Sequence, residues 1–241
     1  MSFSRFLIAG LKVEMNVKGN ILRERSKKYL FDFEGEPDIV IDPEEDKLAI
    51  MREQHPTLND DGIEYLSTGC IFYYRLLKFG GFMLHSSCIA YNGKAYIFSA
   101  DSGMGKSTHT SLWQKHLDGV QMINDDKPAI RLIDGQFYAI GTPWSGKTNQ
   151  NSDIAVPVGA LALLGRGETN SIVKGNATRA VPFLLRQTML PSKAENTDLL
   201  VELMDKFIRS VPIYDFQCNI SEDAVKTSFE AMTGEKYKKE V

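Results

Sequence analysis

The chain of 241 residues lacks the features that mark several classes of protein. It has only three cysteines, Cys70, Cys88 and Cys218, which lie far apart and show neither CxxC nor Cys/His ligand spacing. This pattern argues against a disulfide scaffold and against a structural zinc site. No apolar run approaches the roughly 18 residues of a membrane-spanning helix, and the first residues lack the long apolar stretch and cleavage site of a signal peptide. We therefore expect a protein of the reducing cytoplasm with no membrane partner.

An excess of charge of one sign is also absent. Lys and Arg number 28 and Asp and Glu number 31, which gives a formal net charge of −3. Bulk charge therefore gives no indication of a nucleic-acid partner. The hydrophobic content of 43% and the aromatic content of 10% are ordinary for globular proteins and exclude disordered and fibrous classes. The length fits one large domain, or a core domain with a small appendage.

The first third of the chain predicts short strands followed by a helix. Short apolar and β-branched runs between residues 6 and 42, the last two at 29–33 and 38–42, are typical of strands. The acidic run at 43–46 predicts a solvated turn. Apolar residues recur at helical spacing over 60–78, a segment in which Asp61 and Glu64 have the spacing of a capping box.

The remaining chain predicts alternating strands and helices. A strand-like run at 82–90 is followed by Asn92-Gly93, which is typical of a type I′ hairpin turn. A second strand-like run at 94–99 leads directly into a glycine-containing loop. The pattern of the C-terminal third predicts a buried strand over 154–165. It also predicts three helices, one that starts at 178, one around 199–208, and one from 222 to Gly234.

Two segments match the phosphate-loop pattern G-x-x-x-x-G-K-[ST]. The segment 141–148 matches it strictly, whereas 100–107 has Ala100 in place of the first glycine. Phosphate binding needs a strand before the loop and a helix after it, because backbone N–H groups and the helix N-terminus must face the phosphates. Only 100–107 has both. In the strict match, Pro143 removes an N–H, Trp144 is bulky, and turn-like residues follow.

The segment 100–107 is therefore the predicted phosphate loop, and a glycine turn without a ligand is the alternative. Lys106 should contact the β- and γ-phosphates and the Ser107 hydroxyl should ligate Mg²⁺, which makes ATP and Mg²⁺ the expected cofactors. The residues expected to bind the nucleotide are Ser102, Gly103, Met104, Gly105, Lys106, Ser107 and Thr108.

Two neighbouring carboxylates follow the next predicted strand. The run 120–123 ends in Asn124-Asp125-Asp126, one helix and one strand after Ser107. Ligand groups in such sheets collect at the carboxyl ends of strands, so we expect the pair to lie near Ser107. One carboxylate can hold Mg²⁺ and the other can accept a proton from an incoming hydroxyl. A solvated Asp-Asp turn is the alternative.

Residues 82–133 resemble the kinase domain of the HPr kinase/phosphorylase group, within the phosphoenolpyruvate carboxykinase-like fold. The resemblance is carried by three short stretches, Leu84-His85-Ser86-Ser87, Ser102-Gly103-Met104-Gly105-Lys106-Ser107 and Asn124-Asp125-Asp126. The chain looks more like the shorter HPr-kinase-related proteins of bacterial peptide-modification clusters, including the lasso-peptide kinases. The resemblance implies an α/β fold with a mixed, phosphate-loop-containing sheet and a small β-rich N-terminal extension. It divides the chain into a subdomain at 1–80 and a nucleotide-binding domain at 81–241.

The same resemblance implies roles for individual residues. His85 would lie near the nucleotide phosphates and the transferred phosphoryl group, together with Lys106. Asp125 would act as the catalytic base and Asp126 as a metal ligand. Thr108 stands where HPr kinases proper have Glu, and HPr itself is therefore a doubtful substrate. The implied activity is ATP- and Mg²⁺-dependent phosphorylation of serine in a peptide or small protein.

Other interpretations stay open at this point. A nucleotide-binding regulator without turnover would need the same loop, whereas carboxykinase chemistry would need a second metal site of His and Lys and an Arg, which the sequence does not assemble. Trp144 and Lys147 are expected to cap the nucleotide pocket or else to form a plain turn with a half-buried Trp. Arg179 is a third possible contact to substrate or phosphate. The pattern does not choose between ATP, GTP and pyrophosphate, and it does not give the oligomeric state.

Overall fold

The computed structural model describes residues 3–238 and shows an α/β fold with a mixed sheet and, within those residues, seven α-helices. The helices are α1 Asn20–Ser26, α2 Glu45–Gln54, α3 Asp60–Leu76, α4 Lys106–His116, α5 Ala177–Arg186, α6 Ala194–Ser210 and α7 Glu222–Thr233. The strands are β1 Ser4–Ile8, β2 Leu11–Met15, β3 Ile39–Ile41, β4 Gly81–Met83, β5 Ser86–Tyr91, β6 Lys94–Ser99, β7 Gln121–Asn124, β8 Ala129–Ile133, β9 Gln136–Ile140, β10 Ala155–Arg166, β11 Ser171–Lys174 and β12 Ile213–Cys218. Of the helices described between residues 3 and 238, none has both the length and the apolar character of a bilayer span.

The N-terminal strands form a separate three-stranded sheet in the order β1-β2-β3. β1 and β2 are an antiparallel hairpin, and β3 is parallel to β2. The inward side chains of this sheet, such as Phe6 and Val13, share one hydrophobic cluster with Phe72 of α3 and with Ala129 and Ile140 of the larger sheet. The small sheet therefore packs on the rest of the chain through a common core. The division into two domains at residue 80 stays a prediction.

Two predictions in this region are wrong. The run 29–33 forms no strand, since it begins in a 3₁₀ turn at Lys27–Tyr29 and makes a single bridge from Leu30 to Phe6. The acidic run 43–46 is not a turn, because Glu45 and Asp46 open α2. Carboxylates in a first helical turn are stabilised by the N-terminal end of the helix dipole, which makes an acidic run compatible with a helix start.

The predicted helix over 60–78 is confirmed as α3, but its cap differs from the expected one. Asn59 caps it by accepting a hydrogen bond from the Gly62 N–H at 3.0 Å. Glu64 instead accepts from the Gly19 N–H, and Asp61 accepts from the Asn20 N–H at 3.0 Å. The two carboxylates thus satisfy donors at the start of α1, so residues with capping-box spacing cap a neighbouring helix.

The large sheet has the order β4-β8-β9-β10-β6-β5-β7, with β12 beside β10 and β11 beside β12. The long strand β10 joins its two parts, since its first residues pair antiparallel with β9 and the rest runs parallel to β6 and β12. The predicted single strand at 82–90 is divided, because β4 pairs with β8 whereas β5 pairs with β6. The hairpin turn at Asn92-Gly93 is confirmed by φ values of 47° and 72°.

One edge of this sheet collects the ends of several strands. β6, β10 and β12 are parallel, and β5 is antiparallel to both β6 and β7, so β7 runs in the same direction as β6. The carboxyl ends of β6, β7, β10 and β12 and the start of β5 therefore share this edge. The core on one face contains Trp113 of α4 and Phe229 of α7, and the core on the other contains Leu184 of α5 and Phe207 of α6.

Candidate functional site

The loop 100–105 joins the end of β6 to the start of α4. Gly103 and Gly105 have φ values of 78° and 104°, a left-handed region that favours glycine. A Cβ built at either position would meet nothing within 4 Å, so both glycines border open space. No side chain caps the N-terminus of α4, whose first N–H groups lack intrahelical partners. The loop therefore presents backbone donors and a helix N-terminus that suit an anion.

Lys106 is the first residue of α4 and is largely buried behind this loop. Its Nζ donates to the carbonyl oxygens of Ala100 at 2.9 Å and Asp101 at 3.4 Å. Burial lowers the pKa of Lys106, whereas the carboxylates of Asp126, Asp125 and Asp101 oppose that change. The ammonium group is thus held inside the loop, close to three negative charges.

The two carboxylates after β7 differ in burial and in partners. Asp125 is only 6% exposed, and its Oδ1 accepts a hydrogen bond from Ser87 Oγ at 2.6 Å. Ser87 Oγ in turn lies 2.7 Å from Thr110 Oγ1 on α4, so Asp125 faces the helix that follows the glycine loop. The Asp126 side chain is 19% exposed and forms an ion pair with Lys127. The burial of Asp125 excludes a solvated Asp-Asp turn for that residue.

Asn124 holds this acidic turn in place and is fully buried. Its Oδ1 accepts from the N–H groups of Asp126 at 2.9 Å and Lys127 at 2.7 Å. Its Nδ2 donates to the carbonyl oxygens of Thr142 at 3.0 Å and Trp144 at 3.3 Å. Sequence reasoning assigned Asn124 no role, although an Asn side chain that bonds to N–H groups two and three residues ahead is a common turn device.

The strict pattern match at 141–148 forms a wall of the site. As predicted, no helix follows it, since the segment continues as turns. Trp144 is 1% exposed and its ring stacks on Phe72 at 4.8 Å, so it is a core residue rather than the expected cap on a nucleotide. Gly146 lies directly against Asp126, because a Cβ built on it would come within 2.8 Å of the Asp126 Cβ. Lys147 is the next residue and is exposed.

His85 lies between β4 and β5, at the same sheet edge. Its Nε2 is 3.4 Å from Asp126 Oδ1, and its Nδ1 is 2.9 Å from Gln187 Oε1. Burial, followed by the positive charge of Lys106, lowers the pKa of His85, and Asp126 acts in the opposite direction. Gln187 lies at the C-terminal end of α5, 102 residues after His85 in the sequence. Nothing in the sequence pattern indicated that these two residues are in contact.

A cavity of about 600 Å³ lies beside the glycine loop, between α4 and the ends of β10 and β12. Its volume falls in the range of small-molecule sites. Arg166 at the end of β10 donates to the Gly103 carbonyl oxygen at 2.7 Å and so connects one wall to the loop. The main lining residues are Gly103, Met104, Leu112, Leu164, Arg166 and Cys218.

The structure therefore brings most of the predicted site residues to one sheet edge. Ser102, Gly103 and Thr108 are exposed there, and Met104, Gly105 and Ser107 are half-buried. Arg179 is separate, since it lies exposed in the first turn of α5 and pairs with Asp215 at 3.4 Å. In the described part of the chain, no three His, Cys, Asp or Glu side chains group to hold a metal ion. The Ser107 hydroxyl and the Asp126 carboxylate are oxygen donors that fit Mg²⁺, which commonly takes few protein ligands together with phosphate oxygens.

Comparison with known proteins gives structural likeness at low sequence identity. No family model matches the chain, and no curated protein matches it. Among solved structures, the chain is similar to the HPr(Ser) kinase/phosphatase from Coxiella burnetii. The TM-score is 0.38 and the sequence identity is 9%, over 63% of this chain and 93% of that chain.

Proposed function

We propose that this protein is an ATP- and Mg²⁺-dependent phosphotransferase that phosphorylates a serine hydroxyl of a peptide or small protein. The observation that carries the proposal is the convergence of the glycine loop and Lys106 with Asp125, Asp126 and His85 at one sheet edge. This arrangement provides an anion-binding loop, oxygen ligands for a hard cation and proton acceptors. The serine acceptor rests on the sequence resemblance to HPr-kinase-related proteins.

The phosphates of ATP would bind at the loop 100–105. Its backbone N–H groups and the uncapped start of α4 suit negative charge, and Lys106 would exchange its contacts with loop carbonyls for the β- and γ-phosphates. The cavity beside the loop has room for the nucleoside.

The Ser107 hydroxyl and the Asp126 carboxylate would hold Mg²⁺, which neutralises charge on the phosphates when bound. Asp126 suits that role because it is the more exposed carboxylate and is already paired with a cation, Lys127. Asp125 would accept the proton of the incoming hydroxyl. Ser87 occupies only its Oδ1 atom, so Asp125 keeps a second carboxylate oxygen for this purpose.

Catalysis would then consist of positioning and charge neutralisation, without a covalent enzyme intermediate. Lys147 is exposed and follows Gly146 in the sequence, and it would contact a phosphate or the acceptor. Trp144 and Arg179 have no part in this proposal, because the first is a core residue and the second pairs with Asp215.

The activity is tested by incubating the purified protein with Mg-ATP and serine-containing peptides, followed by mass spectrometry. We expect a phosphopeptide and ADP in equal amounts. Tight ATP binding with neither product would contradict the proposal and would identify a nucleotide-binding regulator instead.

The choice of loop is tested separately by nucleotide titration. Lys106→Ala should weaken ATP affinity by about 100-fold or more, as expected for losing charge-assisted contacts to phosphate. Lys147→Ala is the matched control in the strict pattern match and should weaken affinity far less. Equal losses in the two variants would show that the assignment of the phosphate loop is wrong.

A further inference from the structure

Gln187 contacts His85 through two pairs of atoms. The Gln187 carbonyl oxygen accepts a hydrogen bond from the His85 N–H at 2.7 Å, and Gln187 Oε1 lies 2.9 Å from His85 Nδ1. The Gln187 amide nitrogen Nε2 donates to Asp101 Oδ1 at 2.8 Å. Gln187 is 5% exposed, so these contacts form in a largely dry setting. The end of α5, the glycine loop and the start of β5 are thereby tied together.

This chain of contacts fixes which nitrogen of His85 carries the proton. A carboxylate only accepts hydrogen bonds, so the Gln187 amide must turn its NH₂ group toward Asp101 and its oxygen toward His85. An amide oxygen only accepts, so His85 Nδ1 must be the donor. In the neutral imidazole, Nε2 is then without a proton, and it faces Asp126 Oδ1 at 3.4 Å. Two acceptors at that separation are complementary to a group with two hydrogens to donate, such as a bound water.

We propose that Gln187, oriented by Asp101, is a positioning residue that holds His85 as its Nδ1–H tautomer and leaves Nε2 as an acceptor in the reaction site. The catalytic role of Gln187 rests on the proposed function, whereas the assignment of the tautomer rests only on the contacts of Gln187 with Asp101 and His85. The wrong tautomer would place an Nε2–H group in the space that the acceptor hydroxyl or water must approach.

The tautomer is measured by long-range ¹H–¹⁵N correlation spectra of histidine-labelled protein at a mildly alkaline pH, with His85→Gln used for assignment. In the unaltered protein, His85 should show a protonated Nδ1 and a bare Nε2. Gln187→Met, which keeps the length of the side chain but removes the amide, should make the Nε2–H form detectable. His109 is an internal control, because Trp113 Nε1 donates to its Nε2 at 3.2 Å and its signals should not change if the fold is kept. An Nε2–H form in the unaltered protein, or identical spectra in the variant, would overturn the inference.

Asp101→Asn is a second variant on an exposed loop residue. The neutral amide of the variant can donate a hydrogen bond to Gln187, which allows the Gln187 amide to rotate by half a turn. This variant should therefore also raise the fraction of His85 in the Nε2–H form. An unchanged fraction would count against the role of Asp101. In the transfer assay, Gln187→Met should lower kcat by about 10- to 100-fold, a usual cost of losing an orienting partner, with little change in the KM for ATP. A changed tautomer with unchanged kcat would overturn the positioning role alone. Absence of transfer in the unaltered protein would overturn the proposed function and leave the tautomer result standing.

Discussion

Acid sensitivity of the fold should come largely from one histidine behind the glycine loop. His109 lies on α4, and its ring packs edge-on against Phe98 and Phe216. Burial lowers its pKa from 6.5 to about 3. Trp113 Nε1 donates to its Nε2, and its buried Nδ1 has no hydrogen-bond partner among the residues the structure describes. The Ser228 hydroxyl also lies 2.9 Å from Nε2, but it carries no charge, so burial of the ring dominates the shift.

The direction and size of the effect follow from this depressed pKa. Above pH 6.5 the ring is neutral in both the folded and the unfolded states, so His109 adds no pH dependence. Below that pH the unfolded chain binds a proton that the folded protein does not, so stability falls until the pH reaches about 3. A pH of about 5 lies about 1.5 units below the ordinary histidine pKa of 6.5. Each unit is worth about 1.36 kcal/mol, so about 2 kcal/mol of stability is lost at that pH.

Urea unfolding followed by circular dichroism at about pH 7.5 and about pH 5 measures this loss. His109→Gln should lose about 2 kcal/mol less than the unaltered protein between the two conditions, whatever its stability at the higher pH. His55→Gln makes the same change at an exposed position and serves as the control. Equal losses in the unaltered protein and His109→Gln would refute the assignment of this acid sensitivity to His109.

Three further predictions concern the acidic turn. In transfer assays, Asp125→Asn should keep Mg-ATP binding but slow transfer by about 10²-fold or more. In Mg²⁺ titrations, Asp126→Asn should weaken the Mg²⁺ dependence of transfer. Near-normal turnover in both variants would remove the pair from the mechanism. Asn124→Ala should cost about 3 kcal/mol in urea unfolding, because it leaves buried N–H and carbonyl groups unpaired, and a cost near zero would contradict this. Gly146→Ala and Gly135→Ala both place a side chain at positive φ, but only Gly146 touches Asp126, so only Gly146→Ala should also impair transfer. Equal transfer rates in those two variants would refute that contact's importance.

The glycine loop could be predicted from the sequence because everything that defines it is local. The strand Lys94–Ser99, the glycines at 103 and 105 and the helix Lys106–His116 follow one another within a short segment. The choice between the two pattern matches depended on the same local signals, since Pro143 and the turn-like residues after Thr148 argued against a helix there. The structure confirms that no helix follows.

The contacts that complete the site could not be predicted because they join distant segments. Gln187 reaches His85 only because α5 ends at this sheet edge, a placement that hydrophobic periodicity does not encode. Trp144 was expected either to cap the nucleotide pocket or to lie half-buried in a plain turn, yet its ring packs against α3, where Gly69 leaves room for it. Similarly, the run 82–90 has the composition of one strand, but its two halves pair with different strands, β4 with β8 and β5 with β6.

The acidic turn is held from two sides, by contacts that lead to α4 and by contacts to the segment 141–148. On one side, Asp125 is linked through Ser87 to Thr110 on the helix that follows the glycine loop. On the other side, Asn124 bonds to the segment 141–148, whose Gly146 touches Asp126. Each carboxylate thus has its own partners, Ser87 for Asp125 and Lys127 for Asp126. Trp144 anchors the segment 141–148 in the core. A core substitution that moves Trp144 should therefore also change the position of Asp126, because the backbone of 142–146 connects the two. The segment 141–148 thus supports the acidic turn, whereas the loop 100–105 leads into a helix whose N-terminus no side chain caps.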